Sequence, residues 1–279
     1  MKRSEESLMT ALRSRDMLLG GVTRTLEDLD RIINQLGERL EDWYGIYFPE
    51  LRMEDKLKFC EAVLNIDREN MDPKEMAAVF GQKKAEEIAA QNAKSLGAKL
   101  SPMDLSQCHM LARSILSLGK LRDDYLEYQK QLAIEICPNL SEVGGPEIAA
   151  KLVSHVGSLQ RLGILPASTI QVLGAEKALF KHLKNKRIDP PKHGIIFQHP
   201  RISASPKAVR GKIARTLANK LALAVRADAF TKRFIAPQLK KAFDTRYEAI
   251  MADYERIKAK RFAAGGAEAK GPSTENPGQ

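Results

Sequence analysis

Cysteine, tryptophan and histidine are all scarce in this chain: three, one and five in 279 residues. Each scarcity removes a class of explanation. Cys60, Cys108 and Cys137 are far apart and odd in number, so neither a disulfide framework nor a zinc site follows from them, and buried reduced thiols are expected. His109, His155, His182, His193 and His199 show no metal-ligand spacing, so no metal is expected. There is no run of 18 apolar residues, hence no candidate membrane-spanning helix. The first 20 residues are charged and helix-like, without a signal-peptide pattern, and a cytoplasmic, reducing location is the expectation. The GxxxxGK[ST] phosphate loop is missing, and no Ser or Cys nucleophile sits in a recognisable setting. Catalytic residues and cofactors are therefore not expected. Aromatics are only 6%, while Ala and Leu are abundant, which favours helix. An apolar content of 43% is ordinary for a globular chain, and the length leaves room for two domains.

What is present is segregated charge. Residues 174–233 carry 15 Lys and Arg against three acids, Glu176, Asp189 and Asp228. That is a local excess of +12, against +10 for the whole chain. Like charges crowded together repel, and a polyanion that neutralises them, most often nucleic acid, is the usual reason for such a block.

Ahead of the block, Leu19, Val22, Leu26, Leu29, Ile33, Leu36, Leu40 and Trp43 follow one another at steps of three and four. This is a heptad stripe on a helix from Met17 to about Tyr47, roughly 45 Å long. A 3.5-residue stripe drifts around an isolated helix, so the seam formed by Leu19 to Leu40 predicts a partner helix, an ordinary bundle core being the plain alternative. Pro49 ends the helix. Shorter helices are expected from about 52 to 100, one opened by Asp72 and Pro73. Ser101-Pro102 opens a second long helix to about Cys137. Leu111, Ile115, Leu118, Tyr125, Leu132 and Ile136 fit a heptad there, Arg122 and Gln129 interrupt it, and Leu121 and Tyr128 offer a neighbouring stripe. Two long helices around a small helical tip read as an antiparallel coiled-coil hairpin. Gly144-Gly145-Pro146 breaks the chain before a helix from Glu147 to about Leu162. A last amphipathic helix is expected over 235–262, and the Gly/Pro-rich tail from Ala263 should be disordered.

Within the basic block, Ser205 as N-cap and Pro206 as first residue predict a helix over 207–233. At 100° per residue Lys212, Arg215 and Arg226 fall on one face, with Val209, Ile213, Leu217, Leu221 and Ala224 on the other. Lys207 and Arg210 then lie in the first turn, where free N–H groups also favour a phosphate. A solvated charged face is the plain alternative. The stretch 181–192, which ends at Lys192, reads as a basic loop for RNA backbone. His193 beside Gly194 can stack on an unpaired base or hydrogen-bond its edge. Gln198 and His199 are secondary candidates, packing beneath the loop being the alternative, and Ile195, Ile196 and Phe197 are core.

Three words, GAEKALF (174–180), PKHGIIFQHP (191–200) and RGKIARTLANKLALAVRADAF (210–230), stand in the order and spacing of the Nop domain, and the chain from about Arg15 to Phe230 resembles that family. The resemblance implies an all-α fold, in which a coiled-coil domain (1–137) precedes a helical Nop domain (138–262) and a tail (263–279). It implies an RNA-binding scaffold of box C/D ribonucleoproteins with no enzymatic role of its own. Its partners would be a kink-turn guide RNA, a small ribosomal-type kink-turn-binding protein, a second copy through the coiled coil, and fibrillarin, which performs 2′-O-methylation. It places His193 against the RNA at the kink-turn, and Glu176, Lys177 and Lys181 near the end of a guide–substrate duplex. Family members carry an N-terminal domain that docks fibrillarin. Only a short charged lead stands before Arg15 here, so either another protein supplies that domain or the chain has a different job. A clamp similar to the spliceosomal Nop-family member, without a methyltransferase, is one alternative reading. A coiled-coil adaptor for acidic proteins or membranes is another.

Overall fold

The computed structural model describes residues 15–69, 71 and 73–268. It is all-α, as expected, with no strand among the described residues. The chain divides into two compact units: one joins the chain up to Thr23 with everything from Gln129 on, and the other is Arg24–Tyr128.

Two long helices, α1 (Asp16–Tyr47) and α5 (Pro102–Ile136), contribute to both units. The boundary does not follow the coiled-coil and Nop division at 137. The reason is burial: Leu19 of α1 and Leu132 and Ala133 of α5, with Cys137, belong to the hydrophobic core of the C-terminal unit.

The expected burial holds along most of α1. Leu19, Val22, Leu26, Leu29, Ile33 and Leu40 are buried, while Leu36 is half-buried. It fails at the last position. Trp43 is 55% exposed and Tyr44 is buried in its place. Past Leu40 the apolar neighbours are aromatic residues of the tip, and Tyr44 meets Tyr47 and Phe59 edge-on with centroids 5.5 and 6.1 Å away.

On α5 the sequence reading needs correction. Arg122 and Gln129 do not interrupt the contact; they are part of it. Arg122 donates to Asp30 at 2.5 Å, and buried Gln129 donates to Thr23 Oγ1 at 2.9 Å. The Thr23 hydroxyl donates in turn to the Leu19 carbonyl at 2.8 Å. Leu121 and Tyr128 point outward. Polar groups facing each other across a seam favour one register over its neighbours. In the C-terminal unit, Arg15 pairs with Glu135 and Thr23 with Gln129. In the other unit, Asp30 pairs with Arg122, and the Ala98 N–H bonds the Ile46 carbonyl near the far end. The two chain segments of each pairing therefore run antiparallel.

The tip holds α2 (Lys56–Asn65), α3 (Pro73–Phe80) and α4 (Gln82–Ala93). The Asp72 cap lies outside the described residues. Ser101 opens α5 as expected, its hydroxyl receiving the Asp104 N–H at 3.2 Å.

In the C-terminal unit, α6 (Pro138–Gly144) is a short helix not expected from the sequence, and α7 (Pro146–Val156) and α8 (Leu159–Ile164) replace the single helix expected over 147–162. Gly157 ends α7 in the left-handed region at φ 93°, and Ser158 caps α8 by accepting the Arg161 N–H. Next come α9 (Ala167–Val172), α10 (Glu176–Lys184), a 3₁₀ turn (Ile195–Gln198), α11 (Pro200–Ser203), α12 (Arg210–Arg226), a π-helical turn (Ala227–Thr231) and α13 (Ala236–Glu268). The last helix passes the expected end at 262, and the remainder of the expected tail lies outside the described residues. Helix α12 is the centre of the unit: Ile213, Leu217, Leu221 and Ala224 are fully buried on it.

Candidate nucleic-acid interface

The chain around His193 is pinned by backbone. The Gly194 N–H bonds the Gln171 carbonyl at 3.0 Å, and the Ile195 N–H bonds the Leu173 carbonyl at 2.7 Å. The Gln171 side chain donates to the Lys192 carbonyl at 2.7 Å. A Cβ on residue 194 would stand 1.8 Å from the Leu173 carbonyl oxygen, so only glycine permits this approach.

The His193 ring stacks on Phe197 with centroids 4.4 Å apart and planes 15° from parallel. The Arg210 guanidinium lies 5.3 Å from the centroid of the same Phe197 ring. Burial, then Arg210 and Lys192, hold the His193 imidazole below its usual range. It is therefore neutral at pH 7, with one nitrogen to donate and one to accept. Phe197, expected simply as core, also supports the histidine.

Arg210 is placed differently from expectation. Helix α12 begins there and not at 207, and Ser205 is no N-cap. The Ser205 hydroxyl instead donates back to the Arg201 carbonyl at 2.6 Å, closing the preceding turn. Arg210 in turn donates to the carbonyls of Ser205 (2.8 Å) and Ser203 (3.0 Å). Much of its donor capacity is spent inside the protein. Lys207 is exposed in the turn before the helix.

Lys212, Arg215 and Arg226 are exposed, and Val209, Ile213, Leu217, Leu221 and Ala224 are buried, as the helical phase predicts. Lys192, Lys212 and Arg215 come together around a groove of about 420 Å³, which Gln171, Pro190, Pro191 and Gly211 also line. The one acid lining this groove is Asp189. On the other side of the Lys212–Arg215 ridge, a groove of about 450 Å³ runs toward α13 over Ile250, Tyr254 and Ile257.

The remaining expected positions are not brought to that first groove. Lys177 and Lys181 are exposed on α10, which buries none of its residues. Glu176 is engaged within the protein: it accepts the Gly174 N–H at 2.7 Å and meets His155 Nε2 at 2.7 Å. Partial burial pushes the Glu176 carboxyl up, but these hydrogen bonds outweigh it and hold the group below its usual range. Gln198 accepts from Lys151 at 2.7 Å. His199 caps α11, its Nδ1 accepting the Arg201 N–H at 3.3 Å, and packs edge-on to Phe243. Arg226 lies eleven residues beyond Arg215, roughly 16 Å along the helix, and its Nε donates to the Gly163 carbonyl at 3.4 Å.

Sequence reasoning missed the polar hub that supports the far end of α12. Asp228, an acid of the basic block, is 2% exposed. It accepts the N–H groups of Asn139 (3.1 Å) and Leu140 (2.8 Å) at the start of α6, together with the Asn139 amide at 2.7 Å. The signal available was an isolated acid among cations, paired over a long sequence distance with an Asn after a helix-opening Pro.

A family model described as Nop, snoRNA-binding domain, fibrillarin, matches residues 25–249. The chain belongs to the Nop family. A NOP5 family protein of Methanocaldococcus jannaschii is 39% identical over 88% of this chain and 59% of its own length. Nucleolar protein 58 of Mycosarcoma maydis is 36% identical over 73% of this chain and 35% of its own. The chain thus spans about three-fifths or less of these Nop relatives. Among solved structures, a fibrillarin/Nop5p complex contains a chain 30% identical to this one, with a TM-score of 0.54 over 88% of this chain and 74% of that one. The Nop-family match covers the pinned His193 loop, the α12 ridge and the Asn139–Asp228 hub alike.

Proposed function

We propose that this chain is the RNA-binding scaffold of a box C/D-type ribonucleoprotein. It clamps a kink-turn guide RNA together with a small ribosomal-type kink-turn-binding protein and supports fibrillarin-dependent 2′-O-methylation. The observation that carries this reading is the convergence of Lys192, Lys212 and Arg215 on one groove, next to a neutral imidazole held flat on Phe197. Three cations beside a single acid suit phosphates, which position a nucleic acid, and a fixed neutral ring suits an unstacked base, which gives selectivity. The chain supplies architecture, and the methyl transfer belongs to its partner. The fibrillarin complex of the solved relative supports extending that partnership here. Of the expected RNA contacts, Lys192, His193, Lys212 and Arg215 form the centre. Lys177, Lys181, Lys207 and Arg226 are outlying backbone contacts, Arg210 positions the loop, and Glu176 and Gln198 serve as supports. A second copy pairs through the long helices.

The test is a gel-shift titration of kink-turn RNA, with and without the small protein, over a salt series, paired with a fibrillarin pull-down. The expected result is retention that weakens steeply with salt, with a log–log slope of about −3 from the three groove cations alone and a steeper one where the outlying lysines and Arg226 also engage. Absence of retention under every condition refutes the reading. A kink-turn complex that does not capture fibrillarin leaves the clamp and removes the methylation role.

A further inference from the structure

Beyond the groove, the far end of α12 has a construction of its own. After Arg226 the chain widens into a π turn over Ala227–Thr231, closed by the Lys232 N–H on the Ala227 carbonyl at 2.7 Å. Lys232 then adopts φ 56°, the left-handed conformation, which no other non-glycine residue shares among the described residues. A π turn and a left-handed lysine are both costly, and they persist only where the surroundings hold them. Here the Asn139–Asp228 hub holds them. The Asn139 amide donates to Asp228 and to the Arg233 carbonyl at 2.8 Å, and its oxygen receives the N–H groups of Ile235 (2.6 Å) and Ala236 (2.9 Å).

This buried polar framework fixes a surface that buries little. Phe230 is 55% exposed, Phe234 62% and Ile164 70%. The Phe230 ring rests on the α8 backbone: a Cβ on Gly163 would stand 2.9 Å from its Cε2. The ring is thus supported on one side and open on another. Arg226, which donates to the carbonyl of that same Gly163, is exposed, as are Lys232 and Arg233 just after Phe230 in the chain. The one acid of the turn, Asp228, faces inward.

We infer that Phe230, Phe234 and Ile164, with Arg226, Lys232 and Arg233, form a second RNA contact that stacks unpaired nucleotides continuing from the duplex held at the groove. Supported aromatic faces take bases whatever their sequence, and adjacent cations follow the phosphates. A purely apolar protein surface would leave these cations facing nothing of opposite sign, which is why RNA is the occupant argued here. The inference rests on the RNA-binding reading above.

The experiment uses the full chain with the small kink-turn-binding protein and two RNAs: a plain kink-turn, and the same kink-turn with an oligouridine extension of roughly eight nucleotides, within the span one such surface covers. The wild-type chain should bind the extended RNA about tenfold or more tightly than the plain one, on the order of one stacked base. The variant carrying Phe230→Leu, which keeps an apolar cover on Gly163, and Phe234→Ala should lose that gain and still bind plain RNA as wild type does. In parallel, 5-iodouridine in the extension should cross-link to a peptide containing residues 226–234 of the wild-type chain, a readout independent of the variant's folding. A wild type that binds plain RNA and gains nothing from the extension, a variant that keeps the gain, or cross-links that fall elsewhere would each overturn this inference alone. A variant that changes only the sedimentation of the protein would also overturn it, marking the patch as a protein contact. Failure to bind either RNA would overturn the RNA-binding reading as well.

Discussion

Replacing Asn139 by Ala tests how the far end of α12 is held. Asn139 is 1% exposed, and its side chain makes four hydrogen bonds: to Asp228, to the Arg233 carbonyl, and from the Ile235 and Ala236 N–H groups. Each partner left buried and unsatisfied costs about 1–3 kcal/mol, although water admitted to the space recovers part of it. Those four losses share one site and are not additive, so about 4 kcal/mol is expected, a large share of the 5–15 kcal/mol that stabilises a typical domain. For a unit of this size that corresponds to a fall in melting temperature of roughly 8–15 °C, measurable by circular dichroism. Asn139→Asp adds a second carboxyl beside Asp228, whose own pKa burial already raises. The new carboxyl, also buried, is held above its usual range, so the stability it leaves in place is greatest at acid pH. There one carboxyl is protonated and can donate to the other; as pH rises through the raised folded pKa, that stability is lost. A melting temperature within about 3 °C of wild type for Asn139→Ala at neutral pH, or an Asn139→Asp protein that gains stability with rising pH relative to wild type, refutes the hub argument.

Other consequences are more local. Lys212→Ala and Arg215→Ala should each reduce the salt slope of kink-turn binding by about one, whereas Arg210→Ala should chiefly lower the melting temperature, because its guanidinium supports Ser203 and Ser205; equal slope changes for all three would count against that division. His193→Ala should weaken binding with the slope unchanged, and a slope loss like that of Lys212→Ala would show that the imidazole is not reading a base. Burial, then Arg201, holds the His199 imidazole below the ordinary histidine value of about 6.5. The unfolded chain therefore binds the proton first, and the stability His199 contributes is complete above about pH 6.5 and lost as pH falls below it. Wild type should accordingly melt at a lower temperature at pH 5.5 than at 7.5, by more than a His199→Gln variant does; equal pH responses would exclude this origin. Thr23→Val combined with Gln129→Leu removes both members of the buried seam pair and should change stability by no more than about 1 kcal/mol, while Gln129→Ala alone should cost more, since it opens a cavity beside Thr23.

The legible parts of this protein are those governed by short-range periodicity. The seam from Leu19 to Leu40 and the buried and cationic faces of α12 follow from positions three and four apart on a helix, and they need no knowledge of what lies opposite. The errors fall where a competing partner decides, and most of these partners are distant in sequence. Ser205 has the chemistry of an N-cap, but the nearer Arg201 carbonyl captures its hydroxyl. Arg122 and Gln129 read as faults until Asp30 and Thr23 stand across from them. Asp228 counts as one acid of a basic block until the Asn139 and Leu140 N–H groups and the Asn139 amide stand against it.

Composition, helical period and the three family words thus determined an all-α chain with a paired long helix and a basic face, because helix phase and charge are properties of consecutive residues. Only the tertiary structure decided which cations converge. Lys192 joins Lys212 and Arg215 because the Gly194 and Ile195 N–H groups bond the 171 and 173 carbonyls, and the Gln171 side chain bonds the Lys192 carbonyl, which holds the loop beside the start of α12. Arg210 leaves that set because two carbonyls reach it first. Contacts between residues far apart in sequence leave no periodic trace, so their selection among many equivalent lysines and arginines could be read only from the folded chain.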